Sequence, residues 1–187
     1  MKLTRFILIL LIILLSVVLS SATFAENVIF NGGLLWLNPA SSSTFVGGTQ
    51  DIAIQLDNVT NVYGADIALS FDPTILAVVD ADPATQEVEI FTGSCPAPDY
   101  VLTNEADNTL GTIGYILTQL SPTPPCDGGT VATIRFECLA EGTGLISFTN
   151  SVISDADYNE IPAVTQDAAL TCEAPFSIYL PLVLNQE

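Results

Sequence analysis

The chain has 187 residues with 21 Asp and Glu, 3 Lys and Arg and no His, which gives a formal net charge of −18 at pH 7. A chain this acidic is repelled by nucleic acids and by anionic membrane surfaces, so neither is an expected partner. The absence of His removes the commonest general base and most zinc sites, and no pair of carboxylates stands out as an acid–base pair. We therefore expect a non-catalytic protein that needs no cofactor and no metal.

Residues 1–25 carry the pattern of a secretory signal peptide. Two basic residues precede the apolar run FILILLIILLSVVLS, and Thr23 and Ala25 supply the small side chains of a cleavage site. The alternative is an uncleaved membrane anchor, because this apolar run is long for a signal peptide. Cleavage after Ala25 would leave a secreted protein, extracellular or at the cell surface, with no membrane-inserted segment and with Arg135 as its one basic residue.

Residues 26–172 consist of short apolar or alternating runs separated by Gly, Pro, Asn, Asp and Ser. In chain order these runs are GLLWLNPASSSTFV, QDIAIQLDNV, ADIALSF, TILAVVDA, EVEIFTG, YVLTNEA, LGTIGYILTQL, GTVATIRFECLA, GLISFTNSVI and IPAVTQDAALTC. None of them keeps the 3.6-residue period of a helix over a long segment. Short strands with this punctuation predict one all-β domain, a sandwich or a barrel.

The stretch ADIALSFDPTILAVVD, Ala65 to Asp80, changes pattern in its middle. Its first half alternates apolar and polar residues, which is typical of a strand with one face in the core and one in water. Pro73 cannot donate a ladder hydrogen bond, so we expect the strand to end at Asp72. The apolar run TILAVV should then cross the core, as a buried bend or strand between two sheets.

Four cysteines lie in the chain, at Cys95, Cys126, Cys138 and Cys172. An even number in a secreted protein predicts two disulfides, for which three pairings are possible. None of the cysteines forms a CxxC motif, and no His accompanies them, so a zinc site is not expected.

Three segments together resemble a cohesin domain, over roughly Leu35 to Leu170. They are STFVGGTQDIAIQLDNVTNVYGADI, LSFDPTILAVVDA and DGGTVATIRFECLAEGTGLISFTNSVISDADYNEIP. The resemblance implies a jelly-roll β-sandwich of about nine strands. It also implies a binding function, because cohesins dock the dockerin modules of other secreted proteins, often polysaccharide-degrading enzymes, and the dockerin carries the calcium. The jelly-roll order would bring Cys95 next to Cys126 and leave Cys138 to pair with Cys172.

The resemblance places partner binding on one flat sheet face. Carried onto this sequence, that face consists of the outward residues of three strands, which we call the plateau: Asp66, Ala68, Ser70, Gly114, Ile116, Thr118, Ser147 and Thr149. Asp66 falls where the family often has an acidic docking residue, although an ordinary solvated Asp is the alternative. Ile116 is the one large apolar side chain that we expect to point outward there.

The plateau favours a protein partner, a dockerin-type module or another protein docked at the cell surface. Its small side chains suit a protein laid flat against them, whereas sugar sites usually stack rings on exposed aromatic side chains. The alternatives are a carbohydrate-binding module that holds polysaccharide and a structural surface adhesin.

Two further features have ordinary structural interpretations. Trp36 is expected in the core or at a sheet edge. The segment DADYNE, Asp155 to Glu160, begins like a calcium-binding loop. It lacks the Gly and the Glu that such a loop needs at its sixth and twelfth positions, so we expect a hairpin loop rather than a calcium site.

Residues 173–187 form a C-terminal tail with the apolar segment IYLPLVL. This segment is too short to span a bilayer. It resembles the short YLPLVL ends of some bacterial secreted proteins, and the alternative is a final strand that packs on the sandwich.

Overall fold

A computed structural model describes residues 32–175, which contain twelve β-strands and no helix. The strands are β1 Gly33–Asn38, β2 Ser41–Phe45, β3 Thr49–Asp57, β4 Gly64–Phe71, β5 Leu76–Val78, β6 Phe91–Thr92, β7 Tyr100–Asp107, β8 Thr112–Thr118, β9 Gly129–Cys138, β10 Gly142–Ser154, β11 Ala163–Gln166 and β12 Ala168–Glu173. Within this part of the chain, no helix has the length and apolarity to cross a bilayer. The predicted signal peptide and the IYLPLVL segment lie outside the described residues.

The strands form two mixed sheets that pack face to face. Sheet A has the order β11-β1-β3-β9-β5, with β6 also paired to β9, and sheet B has the order β2-β12-β10-β4-β8-β7. Most neighbours are antiparallel, but β1 pairs with β11 and β2 with β12 in parallel. The predicted all-β sandwich is confirmed.

The difference between nine predicted and twelve observed strands comes from two places where the chain changes sheets and from the short strand β6. β1 lies in sheet A and β2 in sheet B, on either side of Asn38-Pro39. β11 and β12 are divided in the same way at Asp167, whose carboxylate accepts the N–H of Phe148 in β10 (3.0 Å). Counting each divided strand once and omitting the two-residue β6 gives nine.

The Asp-Pro turn ends β4 and sends the chain into the opposite sheet. β4 ends at Phe71, one residue before the predicted end, and β5 begins at Leu76 in sheet A. Asp72 Oδ1 accepts the hydroxyl of Thr74 (2.6 Å) and its N–H (2.9 Å). These bonds hold the pKa of Asp72 below its usual value, because they favour the ionised carboxylate.

The core lies between the sheets and is built from alternate residues of each strand. Its fully buried large side chains include Leu35, Leu37, Ile52, Ile54, Leu56, Ile67, Leu69, Leu76, Ile90, Tyr115, Leu117 and Phe136. Phe71 and Phe136 meet edge to face across the sheets, with ring centroids 5.4 Å apart. Burying each such side chain contributes about 1.5–3 kcal/mol. The apolar side of each strand therefore faces the core, and the alternate residues face solvent.

The disulfides join Cys95 to Cys126 and Cys138 to Cys172, with Cα–Cα distances of 5.6 Å in both. β6 runs antiparallel to β9, which places Cys95 beside the start of β9 and close to Cys126. The predicted pairing is therefore confirmed. Disulfides of this kind are typical of extracellular proteins.

Candidate docking face

The plateau strands β10, β4 and β8 are consecutive in sheet B. Asp66 in the middle strand lies opposite Ile116 of β8, and Ala68 lies opposite Gly114. Ser70 lies opposite Ser147 of β10. The register thus brings residues from three separate parts of the sequence onto one surface.

The side chains of the plateau point away from the core. The eight predicted residues are all at least partly exposed: Asp66, Ala68, Ser70, Gly114, Ile116, Thr118, Ser147 and Thr149. The residues that alternate with them in β4 and β8, among them Ile67, Leu69, Tyr115 and Leu117, are buried. Burial raises the pKa of the Tyr115 phenol, which keeps this inward group neutral.

A β-bulge in β10 adds residues to this face that alternation alone does not reveal. The register shifts between Phe148 and Asn150, so that Thr149 has no partner on β4. Asn150 then lies opposite Ala68, and Val152 lies opposite Asp66. A bulge inserts one extra residue and thereby reverses the side to which the following residues point.

The expectation that Ile116 is the one large apolar side chain on this face is wrong. Val152 is 37% exposed and lies beside Asp66, and Leu145, at the start of β10, is 64% exposed. Unbroken alternation from Ser147 would place Val152 inward, so the bulge in the structure is what turns this side chain outward.

The face is negatively charged and has no cation of its own among the described residues. Asp66 Oδ1 accepts a hydrogen bond from the Asn150 side chain (3.1 Å). Glu105 in β7 lies opposite Gly114, at the edge of the plateau. Arg135, the one base within residues 32–175, belongs to β9 in sheet A and is paired there with Asp51. A positively charged surface would complement this face.

Gly114 keeps the centre of the plateau flat. A Cβ at this position would lie 3.4 Å from Thr103 Cγ2 and 3.8 Å from Glu105 Cγ, which is ordinary van der Waals contact. Glycine is therefore not required here by crowding, and a larger side chain would rise over the face towards a partner.

Trp36 lies neither in the core nor at a sheet edge, contrary to expectation. β1 is flanked by β11 and β3, and the partly exposed Trp36 indole donates from Nε1 to Asp57 Oδ2 (2.6 Å). This position is in sheet A, so the one Trp of the chain is not part of the plateau in sheet B.

The DADYNE segment forms a tight turn after β10. Ser154 and Glu160 are bridged in antiparallel fashion across it. Asp155 Oδ1 accepts the N–H groups of Asp157 and Asn159, both at 2.9 Å, and Asn159 Nδ2 donates to both Asp155 oxygens. The hydrogen bonds from the side chain and backbone of Asn159 lower the pKa of Asp155. In the part of the chain that the structure describes, no group of three His, Cys, Asp or Glu is arranged to hold a metal.

Solved structures with the same fold are cohesins. A type II cohesin domain from the cellulosome of Acetivibrio cellulolyticus matches with a TM-score of 0.61 and 21% identity, over 74% of this chain and 94% of that one. A type I cohesin–dockerin complex from Clostridium thermocellum matches with a TM-score of 0.62 and 15% identity, over 76% and 99%. A non-cellulosomal cohesin from the archaeon Archaeoglobus fulgidus matches with a TM-score of 0.57 and 16% identity, over 76% and 92%.

No curated protein is similar enough in sequence to count as a relative. The family model of the cohesin domain matches residues 37–171, from β1 to β12. That match takes in strands of both sheets, the Cys95–Cys126 disulfide and all eight residues of the plateau, and it ends one residue before Cys172. The chain belongs to the cohesin domain family.

Proposed function

We propose that this protein is a non-catalytic module that binds a dockerin-type module of another exported protein through the plateau. The observation that carries the proposal is the register of β10, β4 and β8. It assembles a flat face of small side chains around Asp66 and Ile116, within a fold whose solved relatives include cohesin–dockerin complexes.

The chemistry of the face supports a protein partner over a polysaccharide. None of the eight plateau residues is aromatic, so the plateau offers no ring on which a sugar could stack. Two apolar side chains, the partly exposed Ile116 and the exposed Val152, flank one carboxylate, Asp66. This is the composition of a small apolar centre with a charged group that fixes orientation.

The proposal includes export of the protein. Residues 1–25 would act as the signal peptide, residues 26–172 would form the domain, and residues 173–187 would form a tail. The two disulfides support an oxidising compartment.

The test is a binding assay of the purified protein against a panel of dockerin modules, loaded with calcium, with a glycan array on the same preparation. We expect at least one dockerin to bind, and we expect that calcium removal abolishes that binding while leaving the melting temperature of this protein unchanged. Binding to glycans with no dockerin bound would overturn the proposal in favour of a carbohydrate-binding module.

A further inference from the structure

A groove opens at one end of the central strands of sheet B, where β8 and β10 end and β4 begins. One wall is the loop of residues 119–121 and the other is the turn of residues 155–158. Tyr63 lies between them, because its N–H donates to the carbonyl of Ser154 and its carbonyl accepts the N–H of Gln119. The groove has a volume of about 500 Å³. Thr118 belongs both to its lining and to the plateau, so the two surfaces are continuous.

Tyr158 stands at the rim of this groove in an unusual conformation. Its side chain is 87% exposed, and its φ of 62° lies in the left-handed region that bulky residues rarely adopt. The N–H of Tyr158 donates to the carbonyl of Asp155 (3.1 Å), which holds the turn closed. Strained backbone that displays an aromatic ring to solvent is a feature of binding sites. Leu120, 45% exposed, faces the groove from the other wall.

One carboxylate lines the groove, and three others lie nearby on the segments that form its walls. Asp155 lines it, and Asp157 and Glu160 follow on the same turn. Asp99 Oδ2 accepts the N–H of Leu120 (2.7 Å) on the opposite wall. Because the one base within residues 32–175 is paired in sheet A, nothing in the described domain neutralises these charges.

Asp155 offers negative charge but few free acceptor positions. Its two oxygens already accept four hydrogen bonds from the turn. Sugar hydroxyls need free, directional acceptors, and an apolar side chain in the groove would remove water from this carboxylate without compensation. A cation beside an aromatic ring meets neither difficulty, because it responds to the field of the carboxylate and to the face of the ring.

We propose that this groove accepts an arginine or lysine side chain of the protein that is bound on the plateau. The aliphatic stem would lie against Leu120 and Tyr158, and the charged head would lie beside Asp155. That a bound partner protein supplies this side chain rests on the proposed function. The preference of the groove for a cation does not depend on it.

The test is an NMR titration of the protein, expressed from the full sequence, with N-acetyl-arginine methylamide. The citrulline and norleucine analogues are the neutral controls. We expect saturable amide shifts at Leu120 and Tyr158 with the arginine compound and clearly weaker binding of both neutral compounds. Equal responses to all three, shifts confined to other residues, or no shift up to the solubility limit would overturn the inference.

Two variants locate the binding. Tyr158→Ala should lower the affinity for the arginine compound roughly threefold to fivefold, which is the loss expected for an exposed cation–π contact. Leu139→Ala, which truncates another exposed apolar side chain near the opposite end of β10, should leave the affinity unchanged. Equal affinities of the two variants would also overturn the inference. Thermal melts of both variants verify that the fold is intact.

The two proposals fail in different ways. If no dockerin module binds the protein, the proposed function fails, and the titration alone decides the chemistry of the groove. If a module binds, Tyr158→Ala should raise its dissociation constant by a similar factor and weaken its dependence on salt. A dissociation constant unchanged by Tyr158→Ala would show that the groove takes no side chain from that partner.

Discussion

On the outer face of sheet A, charged and aromatic side chains are paired with one another. Arg135 donates to both oxygens of Asp51, at 2.7 and 2.8 Å, and its guanidinium lies 5.1 Å from the ring centroid of Phe91. The ion pair lowers the pKa of Asp51 and raises that of Arg135. Trp36 is likewise bound to Asp57.

The outer face of sheet B is different, because its groups are small and its charge is not balanced by a cation. Asp66 accepts a hydrogen bond from the neutral Asn150 side chain, and Glu105 lies at the edge near Gly114. A face whose charges are matched internally gains little from a charged partner, whereas an unmatched face gains both orientation and rate of association. This difference supports the proposal that docking uses the outer face of sheet B rather than that of sheet A.

The largest expected effect concerns the bridge between the two sheets. Cys138 in β9 and Cys172 in β12 join sheet A to sheet B across a separation of 34 residues. Replacing both by Ser should lower the free energy of unfolding by about 3.5 kcal/mol, through the larger entropy of the unfolded chain. Denaturant unfolding measures this loss. Because neither sulfur lies on the plateau, partner affinity at a temperature where the variant is folded should not change, and a large loss of affinity would contradict the assignment of docking to the plateau alone.

The next effect separates the two faces by binding. Ile116→Arg should weaken partner binding by about 2 kcal/mol or more, roughly thirtyfold. The new cation would lie opposite Asp66, compete for that carboxylate and repel the positively charged partner that this face is expected to bind. The control is Val164→Arg, at a 43% exposed position on β11 in sheet A, which should leave binding unchanged. The free energy of unfolding of both variants should lie within about 0.5 kcal/mol of that of the parent. Calorimetric titrations that show equal affinities for the two variants would move docking away from the plateau.

A smaller effect is expected on the face of sheet A. Arg135→Met removes the ion pair with Asp51 and the contact with Phe91. The side chains of Arg135 and Asp51 are 42% and 47% exposed. Solvent screening of this exposed pair keeps the loss of stability small. Thermal melts measure it, and partner affinity should stay the same. A clear drop in affinity would show that sheet A takes part in docking.

The smallest effects are expected on acidification. The pKa values of Asp51, Asp72, Asp107 and Asp155 are depressed in the folded chain, chiefly by hydrogen bonds to their carboxylates. Groups of this kind stabilise the fold above their unfolded pKa, and that stabilisation is lost as the pH falls through the folded value. The melting temperature should rise slightly from pH 7 towards about pH 4, because the repulsion among carboxylates decreases. It should then decrease once the pH is lower than 3.8, the ordinary pKa of Asp. A steady rise down to the most acidic buffers would contradict this account.

The parts of the fold that were predicted correctly depend on short stretches of sequence. Alternation in ADIALSF gave the buried and exposed sides of β4, and Asp72-Pro73 marked the change of sheet, because Pro removes a ladder donor wherever it stands. The disulfide pairing followed from the strand order that the family resemblance supplied. The eight plateau residues were oriented correctly for the same local reason, and their role in binding stays a prediction.

What the sequence by itself determined is thus the local order: strands, turns, the number of bridges and a strongly acidic character. The tertiary structure alone decided which distant residues meet. The bulge that turns Asn150 and Val152 outward depends on how β10 pairs with β4. Arg135 pairs with Asp51, which is 84 residues away in the sequence. The groove beside Tyr158 is formed by two loops that are neighbours only because β8 and β10 both flank β4. Such contacts are set by strand register across the whole sheet, and no local pattern of residues encodes them.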